Sequence, residues 1–259
     1  MALDATYLGS NGWLLAFAPA DAQDPAAQAG PRVLVDPWFT GPLVFPPGPW
    51  LLRGELGSPQ PPPEPIDLLL ITQGLPDHCH PESLALLDRR LPVVAAVDAV
   101  PVLRRLGFET VVPLRPGEEH QLADLRILAT VGAAVPQPQN GYLLQHPGAR
   151  VYLEPHGAPV PALDPALGAD VLITPVVDLS LIPLGTFIAG RSRLPALLAR
   201  FRPHTVLAST TGGDVRFEGV LQHLFRQQGS LEEAAAVAAD HSARLIDPVP
   251  GSPYRLAAA

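Results

Sequence analysis

The chain has 259 residues, 47% of them hydrophobic and 16% charged, with a mean hydropathy of +0.20. That composition excludes disorder as the main state, which is poor in apolar residues and rich in charge. A formal charge of −8 and a pI near 5.4 tell against a general nucleic-acid binder, which needs a basic face.

The first residues, Met1-Ala-Leu-Asp-Ala-Thr-Tyr7, place no basic segment before an apolar one, so no signal peptide is expected and the cytoplasm is the expected compartment. Residues 6–17 read as strand, broken at Gly9-Ser-Asn-Gly12, a turn signal. Residues 32–36 read as a short buried strand ended by Pro37. An aromatic and proline-rich loop, 37–65, follows. Proline is 33 of 259 residues, against a usual level of about 5%, so short strands joined by stiff connections are expected. Residues 66–72 give a near-continuous apolar strand, 81–90 a helix, 93–97 a strand and 99–106 a helix closed by Gly107. Strands are expected over 110–114 and 121–130, and a hairpin over 141–145 and 150–154. A buried strand at 170–175, a helix at 194–201 and a strand at 205–209 come next. The last helical windows are 218–228 and 231–241, with 246–259 as a tail. The longest apolar stretch, residues 179–190, is interrupted by Pro183 and falls short of the roughly 20 residues a membrane helix needs. Strands paired locally and then alternating with helices, twice over, read as one α/β sandwich spanning 1–259 with an internal pseudo-repeat.

The stretch richest in chemistry is Leu70-Ile-Thr-Gln73-Gly-Leu75-Pro-Asp77-His78-Cys79-His80-Pro-Glu82. It lies where a buried strand gives way to a helix, the place where α/β folds put ligand sites. Carboxylate and imidazole are the donors that catalytic zinc and related metals take, and Asp77, His78 and His80 supply them within four residues. The alternative is that Asp77 and His80 cap the helix beginning near Pro81 and that His78 is a buried, hydrogen-bonded histidine. Cys79, the lone cysteine, forms no internal disulfide and reads as a small buried apolar side chain. His120, His146, His204, His223 and His241 are expected to be solvated.

Strand, loop and helix with Asp-His at the turn resemble the His-x-His-x-Asp-His motif of the metallo-β-lactamase superfamily. Leu34-Val-Asp-Pro-Trp38, Asn140-Gly-Tyr-Leu-Leu144, Val151-Tyr-Leu-Glu-Pro-His156-Gly157, Asp170-Val-Leu-Ile-Thr-Pro175 and Val206-Leu-Ala-Ser-Thr-Thr211 are similar to the strands around that motif, so the resemblance runs over residues 5–230. It implies an αββα sandwich, two mixed sheets face to face with helices outside, and a metal-dependent hydrolase. The departures are specific. Gln73 and Leu75 stand where the motif's first two histidines belong, and leucine cannot ligate a metal. No histidine lies between His120 and His146, His156 matches the bridging aspartate, and Thr210 or Thr211 matches the last histidine.

What the resemblance then implies is one divalent metal (zinc, manganese or iron) on Asp77, His78 and His156, with a position left for water. His80 or Asp214 would manage protons. Asp36 is expected to hydrogen-bond the site loop from behind, and Gln73, Trp38, Thr210 and Thr211 to meet a small ester-, lactone- or phosphoester-like substrate. Two apolar loops, 37–52 and 176–190, either form a lid suited to an apolar or amphiphilic substrate or fold back into the core. The rival reading is a member of the fold that lost its metals and serves as a ligand-binding or protein-interaction module.

Overall fold

The computed structural model describes residues 2–19, 29–133, 139–209 and 215–257. The chain begins with an antiparallel hairpin, β1 (Ala2–Gly9) and β2 (Gly12–Phe17), to which β3 (Arg32–Val35) adds antiparallel. The aromatic loop then leaves this sheet as a small hairpin, β4 (Leu43–Val44) and β5 (Arg53–Leu56). Next comes β6 (Leu68–Ile71), parallel to β3, followed by the single helical turn α1 (Pro81–Leu84), β7 (Val93–Ala96), α2 (Val100–Arg105) and β8 (Val111–Leu114).

The second half repeats this plan. Four antiparallel strands, β9 (Glu119–Leu122), β10 (Leu125–Val131), β11 (Asn140–His146) and β12 (Ala149–Leu153), lead to β13 (Val171–Thr174), parallel to β12. A projecting hairpin, β14 (Asp178–Leu181) and β15 (Gly185–Ala189), precedes α3 (Gly190–Phe201) and β16 (Thr205–Ala208). The chain ends with β17 (Val215–Glu218), β18 (Phe225–Gln228), α4 (Leu231–Asp240), β19 (Arg244–Ile246) and β20 (Pro253–Ala257).

Two seven-stranded sheets result, ordered β20-β1-β2-β3-β6-β7-β8 and β19-β16-β13-β12-β11-β10-β9. Their inner faces share one core, in which Leu68 and Leu70 of β6 meet residues such as Ile127, Tyr142 and Ile173. The alternate residues of β6, Leu69 and Ile71, face outward onto Leu84 of α1 and Leu103 of α2. A strand covered on both faces has no polar side to show, which is why β6 reads as an unbroken apolar run. On the far side, Leu194, Leu197 and Phe201 of α3 and Ala234 and Ala238 of α4 cover the second sheet. This is the αββα sandwich that the sequence implies. Among the described residues no helix is long and apolar enough to cross a membrane.

Several expected elements differ. The helix expected over 81–90 shrinks to one turn. The strand expected over 121–130 is broken at Ala123, whose φ of 47° starts a new strand. The helix expected over 218–228 is instead the end of β17, a 3₁₀ turn at Val220–His223 and β18. Gly219 forces that break: its φ is 116°, and a Cβ there would lie 2.6 Å from the Leu51 carbonyl oxygen. The flanking segments then pair with distant strands, β17 with β5 and β18 with β14. His146 is buried rather than solvated, its ring 5.1 Å from that of Phe17.

The tail is also corrected, since β20 pairs along β1 and buries Leu256 to 1% exposure in the inter-sheet core. Leu256→Ala is therefore expected to destabilise the protein by about 2–5 kcal/mol, the usual loss for a buried leucine. Urea unfolding measures it, and an unchanged midpoint would return these residues to a dangling tail.

Candidate metal centre

Parallel pairing of β3 with β6 sets their C-terminal ends side by side, and the site grows from those two ends. Asp36, the first residue beyond β3, has a left-handed φ of 40° and is 1% exposed. Its Oδ1 accepts the Thr72 backbone N–H at 2.8 Å, and its Oδ2 accepts the Thr72 hydroxyl at 2.5 Å. The same Oδ2 accepts Nδ1–H of His78 at 2.7 Å. The loop after β6 turns back on itself where the N–H groups of His78 and Cys79 both donate to the Leu75 carbonyl, at 3.0 and 2.8 Å. That turn swings His78 onto Asp36 and leaves its Nε2 3.2 Å from Asp77 Oδ2 and 3.1 Å from the Asn11 amide nitrogen.

His156 arrives from the other sheet, just past β12. Buried Glu154 holds its loop: one carboxylate oxygen accepts the N–H of His156 at 2.8 Å, the other that of Gly157 at 2.6 Å. Gly157 has a φ of 74° and sits so near Ala189 that a Cβ would lie 2.5 Å from its carbonyl carbon, so no larger residue fits. His156 Nδ1–H donates to Gln139 Oε1 at 2.8 Å. The rings of His78 and His156 are 5.0 Å apart.

The outcome is a cluster in which one ligand atom each from Asp77, His78 and His156 lies within 4.8 Å of the others. Ligands bound at about 2.0–2.2 Å from a common ion stand at most about 4.4 Å apart, so a small side-chain rotation closes the set. The donors suit a divalent ion: one carboxylate, two imidazoles, and each imidazole fixed through its other nitrogen. Asp77 Oδ1 is buried without a hydrogen-bond partner among the described residues, an acceptor that a cation would satisfy.

The charges are strongly coupled. Burial disfavours the cationic form of His78, but Asp77 and Asp36 on either side outweigh it and raise the imidazole pKa to about 10. His156 moves oppositely, held down to about 3 by burial and then by the neighbouring charge of His78. Without metal, Asp77 and Asp36 thus favour the charged form of His78, while burial favours neutral His156 and also raises the pKa of the Asp36 carboxyl.

Above the cluster opens a cavity of about 510 Å³. Its apolar lining includes Phe45, Leu51, Leu75, Leu181, Leu221 and Phe225, and Asp77 and His156 are its ionisable residues. The walls come from two three-stranded sheets outside the sandwich, β17-β5-β4 and β15-β14-β18, so the loops 37–52 and 176–190 do border the site.

Other expected site residues lie elsewhere. His80 caps α1, its Nδ1 accepting the Ser83 N–H at 3.2 Å while Nε2–H donates to the Pro42 carbonyl at 3.2 Å. With both ring nitrogens so used, it is not aimed at the cluster. Trp38 is buried in the loop's own packing, its Nε1–H donating to the Gly41 carbonyl at 3.0 Å, and it does not line the cavity. Cys79 is buried and its thiol pKa is pushed up to about 12, chiefly by burial, which leaves it unreactive. Gln73 is fully buried on the site loop, and neither amide atom has a partner among the described residues. Thr210, Thr211 and Asp214 lie outside the described residues. Asn11, Gln139 and Glu154 were not singled out in the sequence. Only Glu154 left a signal, an acid two residues before His156 at a strand end.

The comparisons agree with this architecture. The sequence pattern of the β-lactamase superfamily domain matches residues 6–209. A protein of Thermoplasma acidophilum described as a metal-dependent hydrolase is 32% identical over 100 residues, a stretch covering 39% of this chain and 39% of that protein. Among solved structures, a metallo hydrolase from the archaeon Ignicoccus hospitalis superposes with a TM-score of 0.64 at 16% identity, over 99% of both chains. An isothiocyanate hydrolase from Delia radicum gut bacteria gives 0.60 at 14% identity, over 99% of this chain and 98% of that one.

The His78 clamp predicts a pH dependence in chelator-treated protein. A histidine whose pKa rises from 6.5 to about 10 on folding adds stability that is complete below pH 6.5 and is lost as pH climbs toward 10. His156, lowered from 6.5 to about 3, adds stability above pH 6.5 that is lost as pH falls toward 3. Urea midpoints across pH 6–10 should decline for the wild type and decline less for Asp36→Asn; equal slopes would mean that the clamp is not formed.

Proposed function

Because the chain belongs to the metallo-β-lactamase superfamily, we propose that it is a metal-dependent hydrolase with a single-metal site on Asp77, His78 and His156. Its substrate is a small ester-, lactone- or phosphoester-like molecule of apolar or amphiphilic character. The observation that carries this reading is the convergence of those three donors, one with an unpartnered buried oxygen, at the inner end of an apolar cavity.

When bound, a divalent cation supplies Lewis acidity, which brings water within reach of deprotonation near neutral pH and polarises the scissile group. The protein's own part is positional. Asp36 keeps the His78 proton on Nδ1 and so presents Nε2 to the cluster, and Gln139 does the same for His156. Glu154 fixes the backbone on which His156 turns inward. Asp77 contributes the negative charge that a cation requires. The apolar lining of the cavity lowers the local dielectric, which strengthens each of these electrostatic interactions.

The second reading, a member of the fold without metal, draws on the closed Asp36–His78–Asp77 arrangement, in which His78 supplies a positive charge of its own. Gln73 and Leu75, in place of two expected histidines, point the same way.

Elemental mass spectrometry on protein purified without chelator separates the two. The hydrolase reading expects about one zinc, manganese or iron per chain, absent from His78→Ala and His156→Ala. Gln139→Leu should bind about 10–100-fold more weakly, the usual effect of removing a partner that orients a ligand. No metal after incubation with all three ions would leave the metal-free reading standing.

A further inference from the structure

Ten large apolar side chains are exposed among the described residues, and six of them lie on the segments beside one cavity. Leu184 (81% exposed) lines the cavity above Asp77 and His156; Trp50 (62%), Ile182, Val220 and Leu224 are chain neighbours of its lining residues Leu51, Leu181, Leu221 and Phe225, and Phe217 pairs with Gly54 on the adjoining strand. Backbone hydrogen bonds stitch them into one rim. Val220 N–H donates to the Trp50 carbonyl at 3.1 Å, Leu221 N–H to that of Leu51 at 3.0 Å, and Ile182 N–H to that of Leu224 at 3.2 Å. A contiguous exposed apolar patch of this kind marks an interaction surface, whereas the four remaining side chains sit singly on other elements.

Charge narrows the partner. The ionised residues of β5 and β17 pair among themselves, Arg53 with Glu55 at 2.6 Å, Arg216 with Glu55 at 3.0 Å and with Glu218 at 3.6 Å, while Arg226 on β18 donates to the His223 and Phe225 carbonyls. Three arginines against two glutamates leave that margin with a single positive charge, on a chain whose formal charge is −8. An anionic lipid surface would need a basic cluster.

Shape narrows it further. The apolar collar adjoins the cavity, so a folded protein seated across it would cover the way to Asp77 and His156. A lipid layer can cover the collar and feed the cavity at once, because a hydrocarbon chain passes from layer to cavity without meeting water. Trp50 at the edge is the residue type that favours the membrane–water boundary.

We propose that this collar seats the protein on an uncharged or zwitterionic lipid surface, from which the site draws an amphiphile whose hydrocarbon chain occupies the cavity. The part concerning turnover rests on the hydrolase reading; the seating does not.

Trp50 provides the test, since Trp13 and Trp38 are each 1% exposed and it alone of the three tryptophans faces solvent. Full-length protein, with and without metal, is titrated with phosphatidylcholine vesicles while tryptophan emission and co-sedimentation are followed. The expected result is a blue shift with co-sedimentation. Leu184→Asp should weaken partition at least tenfold at an unchanged urea midpoint, and Leu184→Phe should retain it. Three results would overturn the proposal: no partition at millimolar lipid, partition only onto phosphatidylglycerol vesicles, or lipid-independent dimerisation that buries Trp50. Because the vesicle readout needs no metal, failure of metal loading and failure of seating are seen separately.

Discussion

The carboxylate of Asp36 accepts three hydrogen bonds in a place where water does not reach, and the site is arranged around that fact. A buried carboxylate left unpaired is costly, and the cost falls only when several donors surround it. Thr72 supplies two from the end of β6 and His78 the third from the turn beyond. The same bonds that solvate Asp36 therefore fasten two neighbouring strand ends together and fix an imidazole in one orientation. The left-handed backbone of Asp36, uncommon outside glycine, persists because this surrounding structure determines it.

The two histidines of the cluster are held by different means, and the difference shapes the site. His78 leans on a charged group and takes up positive charge readily; His156 leans on the neutral amide of Gln139 and, packed beside His78, resists it. A divalent ion placed among them would substitute for the His78 proton in balancing Asp36 and Asp77. Metal and proton are thus competitors for one electrostatic role, which makes metal affinity dependent on pH.

How much of this was legible depended on distance along the chain. The sandwich, its internal repeat, and the run from β6 through Asp77 and His78 could be read because the signals are local: an unbroken apolar strand, a turn, a proline at a helix start. The capping role of His80 was readable for the same reason, as one of two alternatives. The pairings that orient the ligands were not, because Gln139 lies 17 residues from His156 and Asn11 lies 67 from His78, and nothing in either residue's own neighbourhood marks it. Trp38 and Trp50 make the point within one loop. Both are tryptophans among prolines, yet one is core and the other faces solvent, and only the tertiary path of the hairpin separates them. The helix expected at 218–228 failed similarly, because its strand partners, β5 and β14, come from far away in sequence.

The connections that line the cavity are anchored by strand pairs, β5 with β17 and β14 with β18. The cavity's aperture is therefore set in steps. Sliding one strand along its partner moves the frame by about 3.3 Å per residue, and a slip of one residue turns every side chain to the opposite face. Only slips of two residues keep the apolar side chains on the opening, so related proteins that admit larger or smaller molecules would be expected to differ here by paired insertions or deletions, with the sandwich beneath undisturbed.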